Sequence, residues 1–155
     1  QVPCMKFNAD KYDTDLALAL KSAEYEAIRR NSKLSLTVVS TSGGQLDHQL
    51  VVLGLLATWA KMGIASVRVI ENDFEMRFLA AGQTDSWQLS ATNAGKKISL
   101  VALSEECEVS EAGMKWNLDH QKFTLLGDDG ISNIVEANNA CVTCHKGCLL
   151  VQLWN

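Results

Sequence analysis

The chain has 155 residues, enough for one ordinary domain or two small ones. Hydrophobic residues make up 47% and charged residues 21%, with a single Pro, a composition that supports a packed core and excludes a disordered chain. A net charge of -4 leaves no electrostatic footprint for nucleic acid, and no apolar run approaches the ~20 residues that cross a bilayer as a helix.

The chain opens Gln1-Val2-Pro3-Cys4-Met5-Lys6, with neither an initiator Met nor the pattern of a signal peptide. A processed chain, or a piece of a longer one, is therefore expected. Five cysteines without a secretory signal are expected as reduced thiols in the cytoplasm. Val2–Phe7 reads as a short strand, followed by the polar, acidic stretch from Asn8 to Asp15. Leu16, Leu20, Ala23, Ala27 and Ile28 then recur at the three- and four-residue steps of an amphipathic helix. Asp13 or Thr14 suits its N-cap, Asp15 complements its dipole, and Arg29, Arg30 and Asn31 suit its end. Leu34–Val39 reads as a buried strand.

Next comes Thr41-Ser42-Gly43-Gly44-Gln45-Leu46-Asp47-His48, then an apolar helix from about Asp47 to Met62, with Gly63 just past its end. Two glycines, a carboxylate and an imidazole thus sit where a strand hands over to a helix. Ligands bind at such junctions because the helix start offers free N–H groups and a positive dipole end. The segment lacks the G-K-[ST] of a Walker sequence, and a plain tight turn accounts for the glycines equally well. Ser66–Ile70 completes a strand–helix–strand run, which implies a right-handed parallel crossover.

Beyond Ile70 no long helical period returns. Short apolar pieces alternate with turn residues: Glu75–Leu79, Ser86–Ala91, Ile98–Leu103, Met114–Leu118, Ile134–Ala137, Ala140–Cys144 and Leu149–Trp154. Spacings of roughly 8–12 residues suggest an antiparallel sandwich or barrel. The expected fold class is α/β followed by all-β. A partial parallel α/β layer would occupy residues 1–70, and an antiparallel β-sandwich residues 71–155.

Three features carry candidate chemistry. Cys141-Val142-Thr143-Cys144-His145 matches the C-x-x-C-H of haem attachment, and with Cys148 it offers a zinc donor set. The absence of an export signal and the strand-like setting disfavour haem attachment; zinc binding is conceivable, and plain strand residues are expected. Asp10, Asp13 and Asp15 alternate before a helix, as carboxylates holding a hard cation do; helix capping and solvated acid explain them as simply. Trp116 follows a glycine in an expected short strand, where a tryptophan serves either as core or as a stacking wall for a flat cation. Gly130-Ile131-Ser132-Asn133 offers small hydrogen-bonding groups at a turn.

The order of these pieces is more specific than any one of them. Asp13-Thr14-Asp15 before a helix, Gly43-Gly44-Gln45-Leu46-Asp47-His48, Gly113-Met114-Lys115-Trp116-Asn117-Leu118 and Ser132-Asn133 together resemble thiamin pyrophosphokinase over nearly the whole chain. That family has K-D-x-T-D-like, G-G-R-L-D-H-like and G-L-K-W/Y-x-L segments followed by an S-N turn. Here Gln45 stands for the usual Arg, Tyr12 for a common Asp and Met114 for Leu. The family's G-D-x-D-S motif has no match, so the chain resembles an N-terminally truncated member: part of the ATP domain and the whole thiamin-binding domain.

The resemblance implies transfer of pyrophosphate from ATP to thiamin, giving thiamin diphosphate and AMP, with Mg²⁺ on the phosphates and no haem. By the same resemblance Asp15 is a catalytic and metal residue and Asp47 is catalytic. Thr14, Gly43 and Gly44 approach the nucleotide, while Trp116, Ser132 and Asn133 take thiamin. A cytoplasmic homodimer with sites shared across the interface is implied. Without the G-D-x-D-S aspartates the chain alone is expected to be inactive. The alternative is a non-catalytic dimeric thiamin-binding or assembly module.

Overall fold

The structure is a computed structural model that describes Lys6, Asn8 and residues 12–155. The strand expected over Val2–Phe7 lies outside them apart from Lys6, as do Cys4 and Asp10. The chain forms two compact units, Gln1–Leu34 and Ser35–Asn155, and each is described by itself.

The first unit carries helix α1, Asp15–Arg29. Thr14 is its N-cap, with its hydroxyl oxygen accepting from the Ala17 N–H at 3.2 Å, and Asp15 lies in the first turn as the dipole favours. Asn31 ends the helix with φ 49, while the Asn31 and Ser32 N–H groups donate to the Ile28 and Ala27 carbonyls. This is the paired closure of a Schellman motif, with Asn taking the left-handed position. The Asp13 carboxylate is held by Lys21 at 2.7 Å.

The second unit is built on two sheets. β1 (Leu34–Val39), whose last five residues belong to this unit, enters helix α2 (Leu46–Lys61) and returns as β2 (Ala65–Ile70). β3 (Phe74–Ala80), β4 (Ser86–Gln88), β5 (Lys97–Ala102), β6 (Cys107–Ala112), β7 (Leu118–Phe123), β8 (Asn133–Ile134), β9 (Cys141–Lys146) and β10 (Cys148–Trp154) follow. The larger sheet has the order β1-β2-β3-β10-β5-β8, the smaller β4-β9-β6-β7. The larger sheet runs unbroken through residue 70, because β2 pairs antiparallel with β3.

The placement of each strand follows its composition. β10, Cys148-Leu149-Leu150-Val151-Gln152-Leu153-Trp154, is apolar at almost every position and lies between β3 and β5, buried on both faces. β1, expected as a buried strand, instead alternates half-buried and exposed positions, because it lies at the edge of the larger sheet. α2 rests its C-terminal half on β2, β3 and β10 through Leu56, Ala57, Trp59 and Ala60. Gly63, at φ 67, closes it: the Gly63 and Ile64 N–H groups donate to the Ala60 and Trp59 carbonyls. One apolar cluster joins Leu79, Ile98, Leu100, Leu149 and Val151 of the larger sheet to Trp87, Val109, Phe123, Val142 and Cys144 of the smaller.

Three further sequence expectations need correction. Met114–Leu118 is not a strand: Met114 makes a single bridge to Val135, and the chain bends through Trp116. Glu111 and Ala112, which fall outside every expected apolar piece, end β6. Ser86–Ala91 is a three-residue strand followed by a single 3-10 turn at Ala91–Asn93. Strands β6 and β7 have no counterpart in the expected set.

Leu149→Ala, at the centre of the larger sheet, is expected to lower the unfolding free energy by about 2–5 kcal/mol in urea denaturation, because a cavity opens there. Leu50→Ala on α2, where the side chain is 59% exposed, is expected to change it by less than about 0.5 kcal/mol.

Candidate functional site

The loop from β1 to α2 is shaped by two consecutive left-handed residues, Gly43 at φ 93 and Gly44 at φ 78. Cβ atoms placed on either would meet nothing within 4 Å, so the glycines are required by backbone conformation, and open space lies beside them. Gln45 is the N-cap of α2 but makes no side-chain cap bond. Asp47, in the first turn and exposed, accepts from the His48 N–H at 2.8 Å through one carboxylate oxygen. The helix start therefore presents backbone N–H groups and a carboxylate to solvent.

A residue just past the end of β2 fixes this loop. Glu71 Oε1 accepts from the Thr41 N–H (2.5 Å), the Thr41 hydroxyl (2.9 Å) and the Ser42 N–H (3.0 Å). Partial burial works against the charge of Glu71, but these donors outweigh it and hold the carboxyl below the usual carboxylate range. No periodicity or motif singles out Glu71 in the sequence.

The second group of candidates surrounds the bend after β6. Gly113, at φ 76, begins the bend, and a Cβ there would lie 2.9 Å from Ala140 Cα. The Asn117 side-chain oxygen accepts from the Met114 N–H, and the Lys115 N–H donates to the Ile134 carbonyl. Trp116 is left 56% exposed, with the Lys115 ammonium 4.5 Å from its ring centroid.

Asn133 holds Trp116 from both sides of its peptide. Its Oδ1 accepts from the Trp116 N–H at 3.2 Å and from the Ile134 N–H at 2.9 Å, and its Nδ2 donates to the Trp116 carbonyl at 2.7 Å. The second Nδ2 hydrogen goes to Glu111 Oε2 at 2.9 Å. Asn133 is thus buried with its amide engaged by protein groups. Ser132 beside it is an exposed residue with φ 64 and donates its N–H to the Ser99 hydroxyl.

Glu111 is the unanticipated member of the group. It is 1% exposed, and its Oε1 has no hydrogen-bond partner. Burial pushes its carboxyl up to about 7, with the Asn133 amide opposing. One sequence signal was available: Cys107, Val109 and Glu111 share the inward face of β6, so the acid occupies a position where alternation calls for an apolar side chain.

Trp116, Ser132 and Asn133 are therefore brought together. Gly43, Gly44 and Asp47 form a separate group at the α2 start, and no hydrogen bond among the described residues joins the two. Thr14 and Asp15 lie in the first unit, at the start of α1. The C-x-x-C-H residues lie along β9, with Val142 and Cys144 inward and His145 exposed. Burial holds the Cys148 thiol up to about 11, away from the thiolate that binds metals. Among the described residues no group of three or more His, Cys, Asp or Glu is placed to hold a metal ion, and no helix is long and apolar enough to cross a membrane.

Known proteins can be set beside this geometry. Residues 88–149 match the family described as thiamin pyrophosphokinase, vitamin B1 binding domain. Solved structures superimpose along nearly the whole chain. The thiamine pyrophosphokinase of Bacillus subtilis does so with a TM-score of 0.76 at 23% identity, covering 96% of this chain and 65% of its own. The fold is that of the thiamin pyrophosphokinases. That of Geobacillus thermodenitrificans gives 0.72 at 17% identity over 95% of this chain and 64% of its own. That of Candida albicans gives 0.67 at 15%, over 86% and 50%. The chain thus spans about two thirds of the bacterial relatives' length or less. No curated protein sequence matches it. The matched segment contains Glu111, Trp116, Ser132 and Asn133, whereas the Gly43–Asp47 group lies before it.

Two outcomes follow from the two carboxylates. Glu71→Ala is expected to raise hydrogen-exchange rates at the Thr41 and Ser42 amides by about tenfold or more, as expected for losing an acceptor worth ~1.5 kcal/mol, measured by NMR. For Glu111, the folded-state value lies above the ordinary 4.5, so folding binds its proton. The resulting stability is complete below about pH 4.5 and is lost as pH rises through about 7, by on the order of 3 kcal/mol. Urea unfolding across that window should show this fall, and Glu111→Gln should remove it.

Proposed function

We propose that the chain is the thiamin-binding part, with a remnant of the ATP-binding layer, of a thiamin pyrophosphokinase. In the reaction the thiamin hydroxyl oxygen attacks the β-phosphorus of ATP. The bond from that phosphorus to the α-phosphate oxygen breaks, AMP leaves, and the hydroxyl proton is released. The observation that carries this reading is the exposed Trp116, held by Asn133 inside the segment that matches the vitamin B1 binding domain.

Each candidate has a role that its environment supports. Trp116 supplies an aromatic face for the cationic thiazolium and pyrimidine rings. Ser132, an exposed residue, offers its hydroxyl to the substrate, and Asn133 serves thiamin by fixing Trp116. Gly43 and Gly44 leave room for the nucleotide to approach backbone N–H groups, and Thr14 serves the nucleotide as well. Asp47 orients or activates the reacting hydroxyl. Asp15 is an exposed carboxylate at a helix start, which suits Mg²⁺ held mainly by phosphate oxygens rather than by a protein cage. When bound there, the metal neutralises phosphate charge. A homodimer in the cytoplasm completes the reading, and the free thiols of Cys107, Cys141, Cys144 and Cys148 agree with a reducing compartment.

Thiamin titration followed by tryptophan fluorescence tests it. Saturable quenching is expected in the wild-type chain and should largely vanish in Trp116→Phe, since Trp59 and Trp87 are buried and Trp154 packs edge-on against Phe74. Unchanged emission at about millimolar thiamin, a concentration matched to the weakest meaningful affinity, would sink the reading.

A further inference from the structure

We propose that Glu111 is a positioning residue of the thiamin site, acting through Asn133 on the backbone of Trp116. The inference rests on the thiamin reading above and adds a residue to it. Its basis is a continuous chain of contacts. Glu111 Oε2 accepts from Asn133 Nδ2 at 2.9 Å, and the same nitrogen donates to the Trp116 carbonyl at 2.7 Å. Asn133 Oδ1 receives the Trp116 N–H at 3.2 Å. An amide flip of Asn133 would set its NH₂ group against the Trp116 and Ile134 N–H groups, so the orientation is dictated. Among the described residues, Glu111 is the side chain of β6 that bonds Asn133.

The cost of keeping a carboxyl there is visible. It is buried, Oε1 has no partner, and an apolar residue would fit the inward pattern of β6. Such a group persists where its geometry serves something beyond packing. Facing it are Leu118 from β7, Val142 from β9 and Asn133 from β8, none of them titratable. Asp119 and Cys141, the adjacent titratable groups on β7 and β9, fall on the alternate strand positions.

The protonation state then matters to the site. The neutral carboxyl fits its dry setting and leaves the clamp closed. Ionisation strengthens the hydrogen bond that Oε2 accepts from Asn133 Nδ2 and draws this nitrogen away from the Trp116 carbonyl. Trp116 is loosened as a result. Thiamin affinity should therefore weaken with rising pH through a group on this chain rather than through the ligand.

Thiamin itself is the probe, with dissociation constants measured by calorimetry between about pH 6 and about pH 8.5, a range bracketing the Glu111 transition. Wild type is expected to weaken several-fold across it. Glu111→Gln, which keeps an acceptor for Asn133, should bind within about twofold of wild type at the lower pH and show a flat profile. Glu111→Leu, which keeps the volume but not the acceptor, should bind about tenfold more weakly throughout. In parallel, the Asn133 side-chain amide resonances should titrate near 7 in wild type and not in Glu111→Gln. Wild-type affinity in Glu111→Leu would overturn the role. So would an Asn133 titration that persists in Glu111→Gln, or an affinity that rises with pH. Absence of thiamin binding by wild type at every pH, with the Asn133 titration intact, would instead remove the thiamin reading and leave the Glu111–Asn133 coupling standing.

Discussion

The backbone ladders on the two sides of β10 carry the architecture of the second unit. One edge of this strand pairs with β3 along its whole length, from Cys148↔Ala80 to Trp154↔Phe74, and the other pairs with β5. The last strand of the chain is thus the centre of the larger sheet. β1, β2 and α2 attach on the β3 side, and β8 with Asn133 on the β5 side. The two groups of candidate residues are held on a common scaffold by a segment that contains none of them. Such long-range pairing costs chain entropy, because long loops must close before the contacts that reward it can form.

Each group uses a carboxylate from elsewhere in the chain. Glu71 gathers the Thr41 and Ser42 donors at the end of β1, and Glu111 gathers the Asn133 amide behind Trp116. The two differ in environment. Glu71 has three donors on one oxygen and stays charged, whereas Glu111 has a single donor and favours its proton. Loop geometry at one site is fixed by ionic hydrogen bonds, and ring placement at the other by a buried amide–carboxyl network.

The helices and the strands around α2 were legible because several local signals agreed. Thr14 and Asn31 cap α1, Gly63 closes α2, and Leu34–Val39 has the bounds that its β-branched run suggests. β7 was not legible: Leu118-Asp119-His120-Gln121-Lys122-Phe123 exposes four of its residues, so its edge position leaves no apolar alternation to read. Met114–Leu118 misled for the opposite reason. Its apolar residues look like a strand, but Gly113 and the Asn117 side chain bond the backbone into a bend. The ordered set of short motifs pointed to the fold that the solved thiamin pyrophosphokinases share. The supporting carboxylates escaped notice, because their meaning lies in partners far along the chain.

The Lys115 ammonium over the Trp116 ring has a thermodynamic consequence of its own. An aromatic face that already carries a cation is not an empty receptor. A positively charged ring that takes the same face displaces an ammonium that stays tethered beside it, so like-charge repulsion offsets part of the new contact. Only the difference between two cation–π contacts, each worth about 0.5–1 kcal/mol at an exposed site, is left to favour the newcomer. Discrimination then falls to shape: a flat ring covers the indole and sheds water from it, which a primary ammonium cannot do. Any flat cation taken by this ring would meet the repulsion of the Lys115 ammonium, which added salt screens.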